Sequence, residues 1–201
     1  MGRPSTARSR ILATACQQFT RKGAQAVGVD AICQLAGVNK GSFYHFFASK
    51  ETLLLACLEQ IWSELRENVL ETAFAPEYPP LERIDRFFVG LAQAQAEAHG
   101  RHGLYPGCIF CTLGSELAFI TEPVRASVVN LASRNIAYLR AAYAEAVEEQ
   151  SELRADPDVL AERAYLVALG ALLEVKLLQS LHPLERARSL LHDLHPPEKG
   201  R

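Results

Sequence analysis

The sequence has 201 residues, of which 49% are hydrophobic and 22% charged, a composition typical of a soluble globular protein with a substantial core. No apolar run reaches about 18 residues, and the basic N-terminus is not followed by the apolar core of a signal peptide, so we expect no membrane association. The five cysteines are scattered through apparent helices, unlike the disulfide framework of a secreted protein. We therefore expect a cytoplasmic protein.

Positive charge is concentrated at the start of the sequence. Residues 1–50 contain seven lysines and arginines against Asp30 alone, whereas the remaining residues contain 14 basic and 22 acidic side chains. A basic segment joined to an acidic one favours a protein whose N-terminal part contacts a polyanion such as nucleic acid. A solvated basic surface without a partner is the alternative explanation of the charge alone.

Helical periodicity fills the sequence, and strand signals are nearly absent. Ser5 or Thr6 is predicted to cap a first helix that ends at Gly23. The predicted core stripe of this helix repeats at i, i+3, i+4 and i+7, and it consists of Leu12, Ala15, Cys16 and Phe19. We expect an all-α protein of about nine helices.

Two short helices joined by a tight turn come next. The first spans about Val29 to Ala36, with Ile32 and Leu35 predicted to face inward. Gly37 provides the turn, because glycine tolerates a positive φ, and Asn39 is a favourable N-cap for the next helix, NKGSFYHFF. This arrangement predicts a helix-turn-helix, whose second helix enters the major groove of DNA.

The second of these helices separates into two faces. Three phenylalanines at i, i+3 and i+4 are predicted to pack inward: Phe43, Phe46 and Phe47. The residues left for a DNA-facing surface are Asn39, Lys40, Gly41, Ser42, Tyr44 and His45. Glycine costs about 1 kcal/mol inside a helix, so a close approach of the backbone to DNA would explain Gly41.

Longer helices are predicted in the rest of the chain. Ser49 is expected to cap a helix over about residues 50–74. Later helices are predicted over about 80–98, 108–120, 121–150, 157–181 and 183–194. Asp156 and Pro157 supply an N-cap and a first-turn proline for the helix over 157–181.

The stretch AGVNKGSFYHFFASKETLL resembles the recognition segment of the TetR family of transcriptional regulators, and the resemblance extends from about Arg8 to Leu58. The family implies a homodimer, usually a repressor and not an enzyme, that binds a double-stranded DNA operator and responds to a small-molecule effector. It also implies a helix-turn-helix domain over residues 1–50 and a helical effector-binding and dimerisation domain over residues 51–201. No cofactor and no metal are implied.

By position, the resemblance also implies which residues contact DNA. These residues are Lys40, Gly41, Ser42, Tyr44 and His45, together with Lys50. Tyr44 and Lys50 match phosphate contacts, and Lys50 lies at a helix N-terminus, where backbone amides also attract phosphate. Gly28 departs from the family, which commonly has Ser or Thr there, so a helix cap and a phosphate-contacting hydroxyl are expected to be missing.

The helix predicted over 157–181 contains the segment ERAYLVALGALLEVKLLQSL, which is apolar on nearly every side. A helix of this kind is buried all round, and in a chain of this size that indicates a subunit interface. In the TetR family the last two helices of each protomer form a four-helix dimer bundle. Lys176 interrupts the apolar run, so its ammonium is expected to reach solvent, to pair with Glu174 or Glu116, or to lie in a pocket that lowers its pKa.

The stretch YPGCIFCTLGSELA places Cys108 and Cys111 just after a Pro-Gly turn. Together with His99 and His102 they have the spacing H-x2-H-x5-C-x2-C, which is compatible with a zinc-dependent scaffold. An oxidoreductase would place such a cysteine pair in a βαβ unit, and the sequence offers no strands for one. Zinc binding therefore stands as an alternative of a different functional class.

A chemical sensor is the other interpretation of the same stretch. Cys108 follows Pro-Gly at the start of a predicted helix, where the helix dipole favours the reactive thiolate. The segments GCIFCTLGSELA and GALLEVKLLQS resemble the TetR branch that includes the repressor of N-ethylmaleimide reductase, which implies an electrophile or oxidant sensor at Cys108 and Lys176. Cys111 is not part of that pattern, and related members bind ligands non-covalently, so covalent and non-covalent effectors both stay open. The candidate effector residues are Cys108, Lys176, Cys111 and Glu116.

Overall fold

The computed structural model describes residues 6–117, 121–149 and 155–194, and every regular element in these residues is a helix. The elements are α1 Thr6–Lys22, α2 Val29–Ala36, α3 Lys40–Phe46, α4 Lys50–Leu65, a π-helical turn Arg66–Leu70, α5 Glu71–Ala73, α6 Pro80–His102, α7 Ile109–Leu117, α8 Glu122–Glu149, α9 Pro157–Leu178 and α10 His182–Leu194. Because α4, the π turn and α5 follow one another without a break, the described residues form nine continuous helices. The predicted all-α class and helix number are confirmed.

The chain folds into two compact units. Unit one consists of Met1–Ser63 and Ile109–Leu131, and unit two of Glu64–Cys108 and Ala132–Arg201. Both units are discontinuous in sequence. The predicted domain boundary between residues 50 and 51 stays a prediction, since the units are defined by packing alone.

In unit one, the first three helices pack around a small aromatic and aliphatic core. Its completely or almost completely buried side chains are Ile11, Ala15, Phe19, Ile32, Phe43 and Phe47. Of the predicted stripe of α1, Ala15 and Phe19 are buried, whereas Leu12 and Cys16 are only half-buried and Ile11 takes the place of Leu12 in the core. Gln18 occupies a core position on the same face, and because it is polar, the hydrophobic pattern of the sequence did not reveal this position as buried.

Helix α2 has the predicted bounds, but one of its two predicted core residues was wrong. Ile32 is fully buried, whereas Leu35 is 60% exposed. The face that packs consists of Ile32, Cys33 and Ala36. A helix of eight residues presents only one narrow face to its neighbours, and position 35 lies outside it.

Local signals around the helix-turn-helix behave as predicted. Gly37 adopts the left-handed conformation, with φ 63°, and its N–H donates to the carbonyl groups that end α2. The side chain of Asn39 caps α3 by accepting a hydrogen bond from the N–H of Ser42 at 2.7 Å. Ser49 caps α4 by accepting from the N–H of Thr52 at 3.0 Å. Gly28 precedes α2 without a side-chain cap, as expected. Ser5 lies outside the described residues.

In unit two, α10 packs against α9 and α6. The core is rich in aromatic and leucine side chains, including Phe87, Phe88, Leu91, Tyr143 and Leu184. Asp156 caps α9 as predicted, accepting from the N–H of Asp158 at 2.9 Å. Helix α6 extends four residues beyond its predicted end because Gly103, with φ 72°, supplies a left-handed cap only after His102. None of the helices in the described residues has the length and apolar character needed to span a membrane.

Candidate DNA interface and effector region

Most of the predicted DNA-facing residues lie on α3 or at its N-cap, and Lys50 begins α4. Asn39, Lys40, Gly41, Tyr44 and His45 are exposed, and Ser42 and Lys50 are half-buried. The opposite side of the helix is anchored in the core of unit one, where Phe43 and Phe47 are buried. The helix therefore has a fixed orientation that leaves its polar face to the solvent.

Two of the exposed rings contact phenylalanines of α3, of which Phe43 is buried and Phe46, predicted to pack inward, is only half-buried. The ring of Tyr44 meets that of Phe43 edge to face, with centroids 5.2 Å apart, and His45 contacts Phe46 in the same way at 4.7 Å. Edge-to-face pairs of this geometry are favourable and limit ring motion. Tyr44 is nevertheless 55% exposed, so its hydroxyl is available to a partner.

The charge of Lys40 is already paired within the helix-turn-helix. Its Nζ lies 2.7 Å from a carboxylate oxygen of Asp30 on α2, and both side chains are exposed. The hydrogen bond and the charge of Asp30 raise the pKa of Lys40. The only acidic residue of the basic segment thus lies beside a predicted DNA contact, so any DNA phosphate competes with Asp30 for this ammonium.

Lys50, at the start of α4, has a different environment. Its side chain lines a cleft of about 380 Å³ in unit one, together with Gln25, Leu54 and Val124. Burial lowers the pKa of the Lys50 ammonium, and the negative charge of Glu116 partly offsets this effect. Lys50 is therefore a partly desolvated cation.

In unit two, the loop between α6 and α7, residues 103–108 and here called the Cys108 loop, is held by two glutamines. Gln95 is buried in α6, and its carboxamide accepts from the N–H of Gly107 at 2.9 Å and donates to the carbonyl of Gly107 at 3.1 Å. Gln179, at the end of α9, does the same for Tyr105, at 2.9 and 3.1 Å. Each glutamine thereby satisfies both polar backbone groups of one loop residue.

The Cys108 loop lies directly against α9. Gly107 has φ 68°, and a Cβ atom built on it would lie 2.6 Å from the carbonyl oxygen of Leu172 and 2.8 Å from the Cβ of Lys176. Only glycine allows this approach. The residue preceding Cys108 is therefore packed beside Lys176, so the fold brings the two predicted sensor positions into the same neighbourhood. Cys108 and Lys176 are half-buried, and Cys111 is exposed.

The two acids considered as partners of Lys176 have other contacts. Glu174 forms an ion pair with Arg186 of α10. Glu116 belongs to α7 in unit one, where its carboxylate accepts hydrogen bonds from the backbone N–H groups of Ala24 and Gln25. Its position links it to the segment that follows α1, next to the predicted helix-turn-helix.

The predicted zinc ligands do not form a metal site in the described part of the chain. No group of three or more His, Cys, Asp or Glu residues there is arranged to hold a metal ion. The imidazole of His99 instead stacks on the ring of Tyr105, with centroids 4.4 Å apart. All five cysteines are present as thiols. Nothing in this geometry supports the zinc-dependent scaffold.

Sequence reasoning missed Asp30, Gln95 and Gln179 as residues that shape these regions. The burial of Gln95 was predictable from the sequence, because Gln95 continues the buried stripe of Phe88 and Leu91 at i, i+3 and i+7. A polar side chain in such a stripe predicts a buried hydrogen-bond partner. Gln179 had no comparable signal, since its left-handed conformation, φ 50°, is unusual for a residue other than glycine.

The chain matches two families known from other proteins. Residues 11–57 match the family described as bacterial regulatory proteins, tetR family, and residues 80–191 match the tetracyclin repressor-like C-terminal domain.

Individual proteins and solved structures are similar along almost the whole chain. The transcriptional regulator AcuR of Cereibacter sphaeroides is 35% identical, over 86% of this chain and 78% of that protein. The repressor NemR of Escherichia coli K12 is 30% identical, over 90% of this chain and 89% of NemR. The crystal structure of reduced E. coli NemR has a TM-score of 0.81 with 28% identity, covering 94% of this chain and 97% of that one. A regulatory protein TetR from Rhodobacter sphaeroides has a TM-score of 0.82 with 29% identity, over 94% and 99% of the two chains.

Proposed function

The chain belongs to the TetR family of bacterial regulatory proteins, and from this membership we propose that it is a homodimeric repressor of transcription. It binds a palindromic operator through two helix-turn-helix motifs and leaves it when an effector acts on the region around Cys108. Two relatives over most of the chain, NemR and the repressor DhaR of Mycobacterium sp., carry the word repressor in their names, which supports the direction of regulation.

The observation that carries the DNA-binding proposal is the exposed polar face of α3 on an aromatic anchor. In a helix-turn-helix the second helix lies in the major groove with its N-terminal residues at the base edges. Lys40, Ser42 and His45 are then in position to reach bases. Tyr44 and Lys50 contact phosphates, which fix the register of the helix on the duplex.

The homodimer is supported by an apolar face of α9. Along one side of this helix lie exposed leucines and one glycine: Leu166, Gly170, Leu173 and Leu177. Leu177 is 72% exposed, and Leu190 on the adjacent α10 is also exposed. A run of leucines at helical spacing in water is unfavourable, and a second copy of the same face covers it symmetrically.

The proposed effector chemistry is addition of the Cys108 thiolate to an electrophile. With N-ethylmaleimide as the electrophile, sulfur forms a bond to one carbon of the double bond, the π bond breaks, and water supplies a proton to the other carbon. The proton of the thiol leaves to the solvent. Cys108 directly precedes α7, whose N-terminal end favours the thiolate, and Lys176 adds positive charge nearby.

DNA binding is tested with a duplex selected from random sequences by the wild-type chain. Operator affinity is expected to fall steeply with salt, and Tyr44→Ala is expected to lower it about tenfold, since a positioned contact is lost. Gln17→Ala, on an exposed part of α1, is the matched control and is expected to change nothing. A chain that selects no duplex, or binds one without salt dependence, contradicts the proposal.

The effector step is tested on the same complex. Cys108→Ser is expected to keep operator affinity but to abolish release by N-ethylmaleimide, whereas Cys111→Ser is expected to be released like the wild type. Mass spectrometry of the intact chain identifies the modified cysteine. If the Cys108→Ser variant is released as readily as the wild type, the effector acts without this thiol, and the non-covalent alternative replaces the covalent one.

A further inference from the structure

The turn that ends α1, residues 23–25 and here called the Ala24 turn, is tied to α7. The N–H of Ala24 donates to Oε2 of Glu116 at 2.8 Å, and the N–H of Gln25 donates to the same oxygen at 3.4 Å. Gln25 returns the contact, because its Nε2 donates to the backbone carbonyl of Glu116 at 2.9 Å. One residue of α7 thus makes three hydrogen bonds to a turn more than 90 positions earlier in the chain.

The Ala24 turn is shaped to receive this carboxylate. Gly23 has φ 78°, and a Cβ atom built on it would overlap the carboxylate of Glu116. With Glu116 in place Ala24 is 1% exposed, so the carboxylate and not water satisfies its N–H. The Ala24 turn and the carboxylate of Glu116 therefore pack closely against each other.

The same carboxylate acts on a second segment of unit one. Its charge partly restores the cationic form of Lys50, which burial disfavours. The Ala24 turn lies shortly before the helix-turn-helix, residues 29–46, and Lys50 lies shortly after it, at the start of α4. Glu116 therefore influences the chain at both ends of the helix-turn-helix.

We propose that Glu116 is a positioning residue for operator binding, which holds the turn that precedes the helix-turn-helix to α7 through its carboxylate. The inference rests on the proposed function, since α7 begins at the residue after Cys108. Displacement of α7 by an adduct at Cys108 withdraws the carboxylate, the N–H of Ala24 loses its acceptor, and the helix-turn-helix loses the pose that fits the operator. Glu116 itself contacts no DNA.

Variants that separate the hydrogen bonds from the side chain test this role. Glu116→Ala removes the acceptor and is expected to lower operator affinity about tenfold, within the usual range of coupling between linked sites. Glu116→Gln keeps an acceptor oxygen for the Ala24 turn and is expected to restore affinity to within about threefold of the wild type. Ser115→Ala, the neighbouring exposed position on α7, is the control and is expected to bind like the wild type.

Hydrogen exchange distinguishes a positioning role from a merely structural one, because a merely structural role would leave the exchange rates unchanged when operator or effector is added. If the Ala24 turn and the operator are linked, binding of the operator slows exchange at the amides of Ala24 and Gln25, although neither lies on the polar face of α3. Addition of N-ethylmaleimide to the free wild-type chain is expected to speed exchange at the same two amides. In Glu116→Ala both responses are expected to disappear.

The outcomes separate this inference from the proposed function. The role of Glu116 is overturned if hydrogen exchange at the Ala24 turn of the wild type changes with neither operator nor N-ethylmaleimide, even when the operator is bound normally. A Glu116→Ala variant that binds and releases DNA like the wild type overturns it as well. If Glu116→Ala does not fold, the wild-type exchange experiment and the Glu116→Gln variant decide. A wild-type chain that binds no duplex overturns the proposed function and this inference with it.

Discussion

Two turns of the chain are each held by helix side chains that hydrogen-bond to their backbone, and the chemistry of those side chains differs. The Ala24 turn in unit one presents two N–H groups, and the carboxylate of Glu116 accepts from both. The Cys108 loop in unit two presents an N–H and a carbonyl from each of two residues, and the carboxamides of Gln95 and Gln179 serve them in pairs. Because a carboxylate only accepts whereas a carboxamide donates and accepts, the unpaired backbone atoms decide which side chain fits.

The two turns also share a feature. Each contains a glycine with positive φ, Gly23 and Gly107, at the point where the partner approaches most closely. At Gly23 the approaching group is the carboxylate of Glu116, which itself holds the turn. At Gly107 the approaching groups are the backbone of Leu172 and the Cβ of Lys176 on α9, whereas the glutamines hold the loop from elsewhere.

The largest expected effect comes from closing the space at Gly107. Gly107→Ala introduces a Cβ 2.6 Å from the carbonyl of Leu172 and also strains the backbone, and it is expected to lower the free energy of unfolding by about 3 kcal/mol. Gly103→Ala has the same backbone strain but no atom within 4 Å of the new Cβ, so about 1 kcal/mol is expected. Urea unfolding at equal protein concentration measures both. Equal losses in the two variants would show that the contact with α9 contributes nothing.

A second, smaller effect is expected when the carboxamide that holds the Cys108 loop is replaced by a carboxylate. Gln95→Glu replaces a buried donor by an oxygen that faces the carbonyl of Gly107, so the free energy of unfolding is expected to fall by about 2 kcal/mol near neutral pH. Protonation at about pH 4 restores a donor, and the difference from wild type should shrink there. Gln93→Glu, exposed on the same helix, is the control. A pH-independent difference would mean that the donated hydrogen bond is unimportant.

The smallest effect is expected from the corresponding change in the Ala24 turn. Glu116→Gln keeps an acceptor for both N–H groups and should cost less than about 1 kcal/mol of unfolding free energy. It also removes the charge that favours protonated Lys50, so the already lowered pKa of this ammonium falls further. Operator affinity should then begin to decline at a lower alkaline pH than in the wild type, as measured by fluorescence anisotropy across the pH range. If the variant and the wild type have the same pH profile, the protonation of Lys50 does not contribute to DNA binding.

Local features of the sequence were predictive wherever a single residue controls a backbone conformation. Asn39, Ser49 and Asp156 cap their helices because each side chain needs only a neighbouring N–H. Gly37 ends α2 for a similarly local reason. The recognition helix was identifiable because its aromatic face and its polar face alternate at helical spacing.

Contacts between distant segments were not predictable in the same way. The partners of Glu116 are backbone N–H groups, which every residue except proline has, so no sequence pattern marks Ala24 as its partner. Glu116 was accordingly associated with Lys176 and not with the DNA-binding helices. Leu35 was predicted to face inward with Ile32, although its position on α2 faces water.

The π turn at Arg66–Leu70 affects where alignment gaps should be placed between this chain and relatives that lack the turn. Each turn of π-helix accommodates an additional residue, which rotates all later positions by about 100° relative to an uninterrupted α-helix. Within this turn Val69 and Leu70 are both buried, and Val69 lies against Gly90. A relative with one residue fewer in this stretch would have a regular helix, and its alignment gap belongs within residues 66–70 and not in the following loop.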